Sequence, residues 1–154
     1  MLHEFTSDHE TLEVCPIESA GTRFALPERD VIGVLTLDED CTLEELGGVL
    51  SMQMDDRHRP LVSLREALCQ PTHPSETVVV VLRVGTQLFG LLVDQAFPPT
   101  RAIVHPTMDA SPAFSTFSHI VQLDDGSDVA VLATTSLAMS ARRGHASAAL
   151  NLAA

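Results

Sequence analysis

Apolar and polar positions alternate in short runs along most of the chain, and the densest apolar stretch, TVVVVLRVGTQLFGLLVDQ from Thr77 to Gln95, organises the rest. Thr77 to Val84 and Gln87 to Val93 read as two strands joined by Gly85 and Thr86, and a two-residue connection that opens on Gly suits a type II′ hairpin turn. Val78 to Leu82 is apolar at consecutive positions, which predicts a strand buried on both faces. The run is too short to cross a bilayer. Gly90 interrupts the second strand and predicts a bulge or a close backbone approach.

Shorter runs of the same kind flank this hairpin. Thr11 to Ile17 and Thr22 to Leu26 predict a second hairpin, with Glu18, Ser19, Ala20 and Gly21 as turn residues. Asp30 to Leu37 reads as a strand closed by Asp38, Glu39 and Asp40. Thr42 with Glu45 matches a capping box and predicts a single helical turn to Leu46, ended by Gly47 and Gly48. Val49 to Met54 predicts a strand and Asp55 to Arg59 a charged turn. Pro60 to Leu68 starts extended and then offers Ser63 as the cap of a short helix. Ala96 to Pro99 is a stiff connection, Arg101 to His105 a strand, and Pro106 to Phe117 a loop. His119 to Leu123 and Asp128 to Ala133 are joined around Asp125 and Gly126 as a further hairpin, followed by a short helix from Thr134 to about Ala141. About nine or ten short strands separated by turn residues predict an all-β sandwich or small barrels. The domain is expected over residues 11–140, after a flexible leader (1–10) and before a flexible Ala-rich tail (141–154).

Composition narrows the function more than the fold. At 154 residues the chain is long enough to bury a sizeable interior, and its 45% hydrophobic content with only 4% aromatic residues describes a core of Val, Leu, Ile and Ala. The net charge of −12, with no lysine anywhere, leaves almost nothing for the counterion-release term on which nucleic-acid binding depends. Attraction to anionic membranes is weak for the same reason. Three widely spaced cysteines and an acidic N-terminus without an apolar core segment predict a cytoplasmic protein that is not inserted in a membrane.

Candidate chemistry is sparse. His3, His9, His58, His73, His105, His119 and His145 are dispersed, with no pair at a helical or finger-type zinc spacing, so no metal or cofactor is predicted. The absence of lysine excludes Walker-type phosphate loops and Schiff-base catalysis. Cys15 reads as a small buried hydrophobe within a strand. The pairs Asp55/Asp56 and Asp124/Asp125 read as turn residues. No catalytic residue is assigned. A small β-barrel enzyme using Cys15 or Cys69 with a remote histidine is the alternative from another class.

Four segments, in order, resemble the CheW-like domain, the adaptor of bacterial chemotaxis that also forms the regulatory domain of the CheA histidine kinase. FALPERDVIGVL (Phe24 to Leu35) is similar to the family's opening segment and RPLVSLREAL (Arg59 to Leu68) to its "lPlvdLr..L" segment. The valine-rich hairpin resembles "vvvv…g…gllVDev", and LDDGSDVAVLATTSL (Leu123 to Leu137) resembles "LgdGrvalIlDv..L". The resemblance implies two small five-stranded β-barrels packed side by side, no catalytic activity, and binding to a chemoreceptor cytoplasmic tip and a CheA-type kinase regulatory domain. Val31, Val34, Val78 and Val79 match its receptor-groove positions; Gly85, Gly90 and Asp94 match its framework positions. Asp55 and Asp56 stand where the family has an Arg-Gly pair at the receptor groove. An anion in place of a cation repels an acidic partner, which implies as an alternative an adaptor for a dedicated kinase or a type IV pilus twitching pathway.

Overall fold

The computed structural model describes residues 10–46, 49–54, 57–71, 73–105 and 116–153, with the backbone alone for 46, 49, 54 and 144–153. Twelve strands form two sheets. The first sheet comprises β1 (Thr11–Ser19), β2 (Thr22–Pro27), β9 (Gln95–Ala96), β10 (Thr100–Val104), β11 (Phe117–Gln122) and β12 (Asp128–Leu132). Its order is β10-β11-β12-β2-β1-β9, and β10 also pairs with β1, so five strands close a barrel and leave β9 beside the far end of β1. The second sheet has the order β3-β7-β8-β6-β5-β4, from β3 (Val31–Thr36), β4 (Thr42–Leu46), β5 (Val49–Met54), β6 (Arg57–Ser63), β7 (Val78–Val84) and β8 (Gln87–Val93). Its edge strands adjoin through one bridge, Leu37 to Cys41, so it is a curled six-strand sheet where five closed strands were expected.

Apolar runs became buried strands for the reason their pattern gives. Adjacent residues of a strand point to opposite faces, and β7 has an apolar compartment on each side. Val80 and Leu82, with Phe89, Leu91 and Val93 of β8, enter a core shared with Ile17, Phe24, Leu26 and Leu132 of the first barrel. Val79 and Val81 turn the other way, joining Met52, Leu61 and Leu92 inside the second sheet. A third cluster, including Val14, Ala102, Val121 and Val131, fills the first barrel.

The turns follow their residues. Gly85 has φ +62° while Thr86 is not left-handed, the combination of a type II′ turn. Ala20 and Gly21 are both left-handed, at φ +53° and +79°, as a type I′ turn requires. At Gly90 a Cβ would fall 2.8 Å from both Leu61 Cδ1 and Val79 Cγ1 and 2.9 Å from Met52 Sδ. The strand break is therefore a close approach in the core of the second sheet.

Further expectations fail: Arg57 to Arg59, read as part of a charged turn, belong to β6 and pair with β5. Thr42 to Leu46 is β4, not a helical turn, paired in register from Thr42 with Gln53 to Leu46 with Val49. One turn of helix fixes several residues for a single hydrogen bond, whereas a ladder against β5 satisfies the same backbone along its length. The C-terminal helix also runs past Ala141: α2 spans Thr134–Ala153, and its Leu137, Ala138 and Ala141 cover the shared core. The capped short helix is present as α1 (Leu64–Ala67), with Ser63 Oγ accepting from the Glu66 N–H.

Candidate protein-interaction site

The edge strand β3 carries the exposed apolar residues of interest. Its burial alternates, with Val31, Gly33 and Leu35 half-buried and Ile32, Val34 and Thr36 exposed. Ile32 is 50% exposed and Val34 53%, among the most exposed large hydrophobics of the described residues. Val34 lies opposite Val80 and Thr36 opposite Val78. Cross-strand partners share a face, so Val34 continues the face of the shared core outward past the sheet edge. Val31 and Val78 pack against that same core.

The expected binding residues thus divide. Val31, Val34 and Val78 share one face, with Val34 open to solvent. Val79 is fully buried, faces the opposite way with Leu35 as its cross-strand partner, and is out of reach of any partner's side chain. Asp55, with Asp56, lies outside the described residues. Ile32 was missed. Its exposure comes from a bulge, because the register shifts between Val31 and Gly33, and such a shift depends on β7 and not on local sequence.

At the end of β8, an ionic cluster ties the two sheets together. Asp94 follows β8 and accepts hydrogen bonds from Arg65 of α1 at 2.7 Å, the Ala20 N–H in the first barrel's turn at 2.9 Å, and Ser75 Oγ at 3.2 Å. Burial opposes its charge, but the bonds from Arg65, Ala20 and Ser75 prevail and hold the Asp94 carboxyl below the usual carboxylate range. The same bond, against a smaller desolvation, raises Arg65. Beside it the buried Glu76 accepts from Ser63 Oγ at 2.9 and 3.0 Å and from the Arg65 N–H at 3.4 Å. Charged side chains here are committed to one another and to backbone.

Among the described residues, nucleophilic chemistry finds no assembled Cys–His pair. Burial raises the thiols of Cys15 and Cys41, reinforced by Glu28 for the first and by Asp40 and Asp38 for the second, which disfavours the reactive thiolate. Cys69 is exposed. His58 meets Glu44, His73 Ser75, His105 Asp128 and His119 Ser118. Among the described residues no three His, Cys, Asp or Glu side chains are grouped to hold a metal ion. Two clefts, of about 260 Å³ beside Arg29 and His119 and about 210 Å³ beside Arg23 and Phe97, fall below the ~300 Å³ at which small-molecule sites begin. No helix of the described residues is long and apolar enough to cross a membrane.

Two β-sheets around a shared core, one closed into a five-strand barrel and the other displaying apolar side chains on an edge strand, define an all-β domain. The CheW-like domain model matches residues 14–142, and the chain belongs to that family. Among solved structures it is similar to the scaffolding protein TtCheW from Thermoanaerobacter tengcongensis, with a TM-score of 0.62 and 14% identity over 80% of this chain and 90% of that one. That likeness concerns the fold. No curated protein matches the sequence.

Proposed function

We propose that this protein is a cytoplasmic, non-enzymatic chemotaxis adaptor that couples a chemoreceptor cytoplasmic tip to the regulatory domain of a CheA-type histidine kinase. Membership of the CheW-like family supports the class. The single observation that carries the site is Val34, 53% exposed on the face continuous with the shared core, with Val31 and Val78 beside it. An apolar side chain at a sheet margin, backed by a rigid core, anchors a partner at little cost in order.

Pull-down of the kinase regulatory domain encoded by the same organism tests the reading. Val34→Asp should abolish capture while leaving the melting temperature unchanged, because the side chain is largely in water already. Capture of neither kinase nor receptor by the wild-type chain defeats the proposal. A second reading, an adaptor of a type IV pilus chemosensory pathway, is favoured by Asp55 and Asp56 at the family's Arg-Gly position. It predicts capture of that pathway's kinase instead.

A further inference from the structure

The flanks of the apolar strip define the charge of what it binds. Before β3, a 3-10 turn holds exposed Glu28 and Arg29 and then Asp30, whose carboxylate accepts from Thr134 Oγ1 at 2.8 Å. Arg29, the sole cation of residues 24–56, is 78% exposed and lies 4.0 Å from Asp30. After β3, Asp38, Glu39 and Asp40 are all exposed. Ile32 and Val34 therefore sit between acidic ends, in a chain of net charge −12.

The mode of docking is also constrained. The register shift at Ile32 interrupts the regular pairing of the edge, and Asp40 Oδ2 accepts from the Thr36 N–H at 2.9 Å. Both devices blunt an edge against addition of another strand. Contact must come through side chains, with apolar groups on Ile32 and Val34 and cations reaching the acidic flanks. A negatively charged partner meets repulsion at both ends.

We propose that β3 of this adaptor docks a protein segment in which apolar residues are flanked by arginine or lysine. This rests on the adaptor reading and adds the partner's sign of charge. Two fluorescent synthetic peptides, each with a Val-Leu-Val centre, one flanked by arginines and the other by glutamates, test it by anisotropy with the full chain. The arginine peptide should bind at least about tenfold more tightly at low salt, and the advantage should shrink at ~0.5 M salt. Val34→Asp should remove the binding, and Asp38→Lys with Glu39→Lys should cancel the preference. Equal binding of both peptides, or binding of neither, overturns the inference. So does capture of the kinase regulatory domain that is indifferent to the Asp38→Lys, Glu39→Lys pair, an outcome that leaves the adaptor reading standing.

Discussion

Arg65 and Asp94, 29 positions apart, meet with Nη2 at 2.7 Å from Oδ2, both side chains only 14% exposed. Asp94 is also bonded to the Ala20 N–H of the first barrel, so one carboxylate joins a helix start, the end of β8 and a turn of the other sheet. The two residues come from two of the recognised sequence segments, and their pairing gives both positions a physical reason.

Because the folded state holds Asp94 below its ordinary value of 3.8, it binds a proton less readily folded than unfolded. Its contribution is complete above that value and is lost as pH falls through the folded value. Asp94→Asn should therefore lower the melting temperature by several degrees at pH 7 and by progressively less as pH falls below 3.8. Urea unfolding at stepped pH reads this, and parallel pH profiles for the two proteins would refute it.

Gly90 admits no side chain without displacement of Leu61, Val79 or Met52. Gly90→Ala should cost about 1–3 kcal/mol in chemical denaturation, the usual range for overpacking. Combining it with Val79→Ala, which vacates one of the obstructing methyls, should cost less than the sum of the two single changes. Simple additivity would show that the strand moves away instead.

Ala20 pays for its left-handed conformation, φ +53°, with a Cβ that glycine lacks. Ala20→Gly keeps the amide that Asp94 accepts from and should stabilise by about 0.5–1 kcal/mol, net of the entropy glycine loses on folding. A fall in melting temperature would contradict the type I′ assignment.

Of three free cysteines only Cys69 is exposed. Under native conditions a disulfide-exchange reagent should titrate one thiol quickly, and three after denaturation. Cys69→Ser should remove the fast phase, and a second fast thiol would contradict the burial of Cys15 and Cys41.

Sequence alone made the hairpins legible, since Gly85 and Gly126 mark their turns and the valine run signals burial on both faces. It also placed the cap at Ser63. What it could not supply depended on distant partners. Thr42 to Leu46 carries a helical start signal, and only the ladder with β5 decides against it. The exposure of Ile32 arises from register against β7. The burial of Val79 was within reach, because Val78 and Val79 are adjacent and a strand cannot show both to one partner.

The first barrel is interrupted in sequence: β1 and β2 precede all six strands of the second sheet, and β9 to β12 follow them. On the ribosome the second sheet is therefore synthesised whole while the first barrel exists only as an N-terminal hairpin. Its parallel seam, Ala130 beside Phe24, forms last, and nascent chains arrested before Leu132 should expose Phe24 and Leu26 to chaperones.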